Sequence, residues 1–224
     1  MRFVLPIAVV LCLAALLVIA PQVEPRRVRA RARRLAEDLR ARHGFREGSK
    51  ASWSEARATG WPPFQYGKHQ RIDGELIGAL YGLPVRVAGY ETVSSGWRHH
   101  YGVAAVVLPR PQEWMEVRGE RPFSAARVRE HIPDGRIPAL GVPEFDAVWA
   151  VYADTPVAVL TVGGAATVEA MLALPTRLSW RTHNCELLLW KRDGWSNATQ
   201  LLTSISVVMN FLGLSSYDGA DVNL

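Results

Sequence analysis

The stretch from Leu83 to Pro111, LPVRVAGYETVSSGWRHHYGVAAVVLPRP, decides how the fold is read. Val85, Val87 and Gly89 alternate with Arg86 and Ala88, the period of two that marks a strand with one buried face. Ser94-Ser95-Gly96-Trp97 has the composition of a hairpin turn. HHYGVAAVVLPRP then supplies a second strand, bounded by prolines. Two antiparallel strands joined by a tight turn predict a sheet built by hairpins.

Working outward, IDGELIGALYG reads as a strand before this pair and EWMEVRG as a short strand after it. PEFDAVWAVYAD reads as a further strand, with Phe145, Ala147, Trp149 and Val151 on one face. RLSWRTHNCELLLWKRDGW reads as a hairpin turning at His183-Asn184. FSAARVREHIPDG is expected to be a short helix ended by Pro133-Asp134-Gly135. TPVAVLTVGGAATVEAMLALP holds one or two helices, with Thr155 and Thr161 as caps and Pro175 as a stop. SNATQLLTSISVVMNFLGL closes the domain as an amphipathic helix. Its stripe is Leu201, Leu202, Ile205, Val208, Met209 and Leu212, with Thr199, Thr203, Ser206 and Asn210 facing away. The fold class expected is α+β: an N-terminal transmembrane helix plus one domain with a mainly antiparallel sheet of six or seven strands covered by helices. Strands followed by a final helix also fit a pleckstrin-homology-like barrel.

Upstream of the sheet the chain changes character. Phe3 to Ala20 is an unbroken apolar run of 18 residues, about 27 Å as a helix and close to the roughly 30 Å of a hydrocarbon core. Val18-Ile19-Ala20 followed by Pro21 is a poor cleavage site, so the run reads as a retained anchor. Eight arginines follow it (26, 27, 29, 31, 33, 34, 40 and 42), against Glu24, Glu37 and Asp38. The positive-inside rule then puts the C-terminal domain in the cytoplasm. Arg26, Arg27, Arg29, Arg31, Arg33 and Arg34 are the residues expected at the membrane surface, where each adds roughly 1 kcal/mol beside anionic headgroups. Leu35 and Leu39, four apart, with Gly44 as a stop, predict a juxtamembrane helix over 31–43. The domain organisation expected is an anchor at 1–21, a basic helix and connector at 22–68, the α+β domain at 69–214 and a tail at 215–224. In the connector, Trp53, Trp61, Phe64 and Tyr66 are expected to cover an edge of the domain.

Charge distribution excludes one class of partner. The net charge of +5 resides in the arginine run, and the rest of the chain holds eighteen basic and eighteen acidic residues. A nucleic-acid-binding domain needs a basic surface of its own, so no nucleic-acid partner is expected. Half of the residues are apolar (49%), enough to build a core rather than a disordered chain. Cys12 and Cys185 form no disulfide framework.

The chemistry-bearing residues are scattered. His99-His100 is the most tempting pair, but adjacent strand residues point to opposite faces and cannot readily share a metal. His69, His131 and His183 offer no metal-ligand spacing with them. Cys185 with His183 has no oxyanion site near it, and Gly163-Gly164 lacks the lysine of a phosphate loop. Asp218, Asp221 and Asn223 end before a calcium loop could close. Asn197-Ala198-Thr199 is a formal glycosylation sequon at the start of a helix. No cofactor, metal or catalytic set is read from these residues.

The order of elements resembles a family of single-span membrane proteins common in high-GC Gram-positive bacteria, built around a domain of unknown function. The resemblance is carried by the apolar span, the arginine cluster and the helix ending at Gly44-Phe45. Pro62-Pro63-Phe64 with Gly67-Lys68, the YGLPV strand from Tyr81, HHYGVAAVVLP, EFDAVWAVYAD and LLLWKRDG continue it. It implies an architecture and transfers no catalytic residue. The function expected is a membrane-anchored, cytoplasm-facing binding or scaffolding domain, with the bilayer and a protein as partners. The alternatives are a hydrolase using histidines near the third strand, and a secreted domain released by signal cleavage.

Overall fold

One strand organises the molecule. The computed structural model describes residues 26–49, 53, 63–64, 68–94, 96–119, 143–153, 165–174 and 178–214. Within them β4 (Trp97–Arg118) runs for 22 residues. On one edge it pairs first with β3 (Leu83–Ser94) and then with β5 (Ala150–Ala153); β6 (Leu178–Arg192) follows its other edge. β2 (Lys68–Leu80) pairs with β3, and the two-residue β1 (Arg46–Glu47) pairs with β2. All of these pairings are antiparallel, and the six strands form one sheet. The α+β class and the antiparallel sheet follow directly from these ladders.

HHYGVAAVVLPRP and EWMEVRG were expected as two strands, but they are one. Prolines 109 and 111 lack the N–H that a ladder needs, which argues for an end at that point. The β3 ladder stops at Val106 and the β5 ladder begins at Met115, so on that edge the prolines have no strand beside them among the described residues. On the β6 edge the register shifts between Val107 and Gln112, an irregularity that carries the prolines.

RLSWRTHNCELLLWKRDGW is likewise one strand, β6, and not a hairpin. Asn184 does adopt a left-handed φ of 51°, but it lies opposite that irregularity and the chain continues past it. PEFDAVWAVYAD is also corrected. Pro143–Val148 is a helix, α2, and only Ala150–Ala153 is a strand. Pro143 opens the helix, with Glu144 and Asp146 in its first turn where the macrodipole favours acid. Phe145 and Trp149 stack at 6.2 Å, the i, i+4 spacing that competes with strand alternation.

The remaining helices are α1 (26–43), α3 (Ala165–Leu172) and α4 (Ala198–Phe211). Asn197 caps α4 by accepting from the Gln200 backbone N–H at 2.8 Å. Of the expected stripe, Leu201, Ile205, Val208, Met209 and Leu212 are buried and Leu202 is half-buried. Of the residues expected to face away, Thr199, Thr203 and Asn210 are exposed and Ser206 is half-buried, and Phe211 is buried as well. α1 buries Leu35 and Leu39 in the same core as α4 and one sheet face. Gly44 ends α1 at a φ of 68°, and Phe45 turns back onto β2. A Cβ on Gly78 would lie 2.6 Å from the Phe45 ring, so that ring depends on glycine beneath it.

The opposite sheet face is also covered. Trp53 and Phe64 are buried there with Ile72, Ala88, Tyr90, Val103, Ala105, Leu188 and Trp190. Connector aromatics therefore do dock on the domain, whereas Trp61 and Tyr66 lie outside the described residues. So do the expected anchor at 1–21, the FSAARVREHIPDG helix, the Thr155 and Thr161 caps, the Pro175 stop and the tail at 215–224. Among the described residues no helix is long and apolar enough to cross a membrane.

Candidate ligand cleft

α1 does not close flush on the sheet. Between it and β2–β4 lies a cleft of about 510 Å³, within the size range of small-molecule sites. Strand alternation builds its floor. Val85, Val87, Gly89 and Glu91 of β3 share a face, as do Val106, Ala104, Gly102 and His100 of β4. At the inner end the lining is apolar, with Leu35, Leu39, Leu76 and Val87. Toward the hairpin of β3 and β4 the large side chains give way to the paired glycines Gly89 and Gly102.

The two glycines do different work. A Cβ on Gly102 would collide with the Trp195 ring, so Gly102 lets that indole lie against the strand as a wall of the cleft. Asp193 and Gly194, both with left-handed φ, turn the chain from β6 to bring Trp195 there. A Cβ on Gly89 would meet only Asp73, no nearer than 3.5 Å, which is ordinary contact. Gly89 thus leaves floor space open that a side chain could fill.

The mouth is polar. Glu91 pairs directly with His100 across the ladder, and its carboxylate oxygens lie 3.3 Å from His100 Nδ1, 3.2 Å from Arg98 and 4.0 Å from Arg29 of α1. Burial lowers the His100 pKa, helped by Arg98 and Arg29 and opposed by Glu91, so the ring is neutral at pH 7. A neutral ring donating from Nδ1 to Glu91 leaves Nε2 as an acceptor. Nε2 is buried and has no hydrogen-bond partner among the described residues. Arg29, Arg33, Arg40 and Arg71 line the cleft with Glu37, Asp73, Glu91 and Asp193, so its charged groups balance.

The expected membrane-surface arginines, Arg26, Arg27, Arg29, Arg31, Arg33 and Arg34, all lie exposed on α1. Arg29 and Arg33 also line the cleft. The helix begins at least five residues earlier than its expected start at 31. His99 faces away from the cleft, and burial with Arg192 lowers its pKa. Cys185 is exposed, and no group of three or more His, Cys, Asp or Glu residues able to hold a metal occurs among the described residues. His131, Gly163-Gly164 and Cys12 lie outside them. Glu91 was missed in the sequence, although a signal was there. The pairing of Ser94 with Trp97 at the expected turn carries the register that sets Glu91 opposite His100.

A second polar cluster lies on the other sheet face. Glu116 and Arg181 pair across β4 and β6, Glu116 meets Arg118, and Arg118 lies 5.1 Å over the Tyr152 ring. Burial pushes the Glu116 carboxyl up, against the pull of Arg118 and Arg181. Glu186 links Arg181 to Arg86, at 3.7 and 3.5 Å, and Arg86 stacks on Trp53. This network ties strands and connector together within the packing, whereas the cleft offers a ligand space.

No protein-family model and no curated protein matches the chain. Among solved structures it is similar to the crystal structure of the mycobacterial trehalose monomycolate transport factor A, with a TM-score of 0.56 and 16% identity. The match covers 84% of this chain and 96% of that one. At that identity the likeness is one of fold; the neighbour is from a high-GC Gram-positive group, and no family is shown by it.

Proposed function

We propose that the chain is a binding domain held at the cytoplasmic face of a membrane by the 3–20 segment, and that its ligand site is the cleft beneath α1. The observation that carries this reading is the cleft itself. It has an apolar inner end at Leu35, Leu39, Leu76 and Val87, and a charge-balanced mouth where His100 Nε2 has no hydrogen-bond partner among the described residues. A small amphiphile suits that division, with its apolar part inside and a hydroxyl or amide donor at His100 Nε2. The structural relative is, by its name, a trehalose monomycolate transport factor, which agrees with an amphiphilic ligand. The Arg26–Arg34 cluster supports the orientation through the positive-inside rule.

The test is binding of 1-monooleoylglycerol to the full chain and to two Gly89 variants. Gly89→Ala should bind as the parent does, because a methyl fits the floor at ordinary contact. Gly89→Phe should fill the cleft and abolish saturable binding while the melting transition survives. Saturable binding that persists unchanged in a folded Gly89→Phe would contradict the assignment.

The Glu91–His100 pair favours one second reading, a hydrolase in which a carboxylate orients a histidine base. The described lining carries no serine, threonine or cysteine, so His100 would have to act on water. Hydrolysis of a bound acylglycerol that is lost in His100→Gln would establish this reading over simple binding.

A further inference from the structure

From Trp97 and its neighbours we infer that the tip of the β3–β4 hairpin is a second membrane contact, seated in the lipid headgroup region and turning the mouth of the cleft toward the bilayer. The inference rests on the anchored reading above and adds a surface that the anchor does not require.

Trp97 is 71% exposed, the most exposed large hydrophobic side chain among those described. It stands at the turn, paired with Ser94, and Arg98 beside it is half exposed. An exposed indole flanked by arginine is costly to leave in water and suits the interface, where Trp is enriched and anionic headgroups attract cations.

Its position in the fold selects the partner. α1 runs along the sheet with Arg29 at Glu91 and Phe45 against Gly78, which pairs with Val85. The start of α1 and the hairpin tip therefore lie at the same end of the sheet. Trp97 is three residues beyond His100, about 10 Å further along β4. Arg26 is three residues before Arg29, about 4.5 Å further along α1. Between the apolar segment and α1 there are only residues 21–25, which span at most about 18 Å when fully extended. The hairpin tip thus projects past the start of α1, toward the surface into which the apolar segment would insert. Arg26, Arg27 and Arg29 are exposed around the same end. Because Arg29, Glu91 and His100 form the mouth of the cleft, a tip seated on lipid sets that mouth against the bilayer, and an amphiphile could enter without crossing water.

The full chain is placed in nanodiscs of phosphatidylglycerol and phosphatidylcholine in equal parts, with and without lipid carrying a quencher near the headgroup. Subtracting the fluorescence of Trp97→Phe from that of the parent isolates Trp97. Exposure of the ring makes Trp97→Phe neutral to folding, and matching melting curves check this. The Trp97 difference signal should fall about twofold or more with quencher lipid, as for an interfacial indole. As a second measurement, a nitroxide on Trp97→Cys, in a chain that also carries Cys12→Ser and Cys185→Ser so that only position 97 is labelled, should report the same shielding from water. A chain retained in nanodiscs whose Trp97 signal is indifferent to the quencher overturns the hairpin contact and leaves the anchor standing. A chain that does not stay with the nanodiscs overturns the anchor, and the hairpin contact with it.

Discussion

Arg29 of α1 and Glu91 of β3 lie 4.0 Å apart, joining the basic helix to the sheet across the mouth of the cleft. Glu91 also meets Arg98 and His100, so one carboxylate gathers three nitrogen-bearing groups. The two partners should differ in energetic weight. Arg29 is more than half exposed, so Arg29→Ala should cost less than about 1 kcal/mol. Glu91→Gln removes the anion shared by two half-exposed arginines and the largely covered His100, and should cost about 1–3 kcal/mol. Denaturant midpoints measure both, and equal losses would contradict the central place of Glu91.

The pH dependence has a definite sign. Burial lowers the pKa of His99 and of His100, so the fold favours both rings neutral. As pH falls, the unfolded chain takes up protons first. Stability is then whole above the ordinary histidine range and declines as pH drops below about 6.5 toward the lowered values of the folded rings. Chemical denaturation at about pH 7.5 and pH 5.5 should show this fall, and His100→Gln should make it smaller. A chain that grows more stable over this window would refute the assignment of neutral rings.

Gly102 and Gly89 pair across one ladder yet should respond oppositely to alanine. Gly102→Ala drives a methyl into the Trp195 ring and should cost about 1–3 kcal/mol. Gly89→Ala meets ordinary contacts and should stay within about 1 kcal/mol of the parent. Thermal melts of the two variants decide, and similar losses would mean that Trp195 does not wall the cleft as described.

α4 is core. Ile205 is fully buried at the middle of its stripe and Thr203 is exposed. Ile205→Ala should cost about 2–5 kcal/mol, by lost burial and the cavity left behind, and Thr203→Ala should cost little. Comparable melting temperatures would refute the packing of α4.

On the proposed anchored reading, orientation in the membrane depends on the arginines. A reporter that fluoresces only in a reducing cytoplasm, fused after Leu224, should be active. Neutral residues at 26, 27, 29, 31, 33 and 34 should mix the orientations, since these positions carry most of the charge difference across the apolar segment. Activity from an alkaline-phosphatase-type reporter at the same fusion point would reverse the topology.

What the sequence disclosed and what it hid divide along physical lines. The β3–β4 hairpin and α4 are legible because local patterns determine them: alternation from Val85 to Gly89 before a turn at Ser94 to Trp97, and the helical stripe around Ile205. β4 and β6 were each misread as two elements. Pro109 and Asn184 look like stops unless one knows that they sit at the same irregularity of one ladder, and that fact belongs to tertiary pairing. Phe145 and Trp149 fit both a strand and a helix, and Pro143 with its acidic neighbours decided for the helix. The cleft needs α1 laid over β3, and no local pattern announces that Arg29 will reach Glu91.

Photo-crosslinking locates the ligand most directly. The full chain in lipid vesicles is exposed to a monoacylglycerol carrying a diazirine in its acyl chain, irradiated, digested and mapped by mass spectrometry. Adducts should concentrate on α1 around Leu35 and Leu39 and on the strands at Leu76 and Val87, and should vanish in Gly89→Phe. Adducts confined to the apolar segment at 3–20, with none on these four residues, would contradict a ligand site beneath α1.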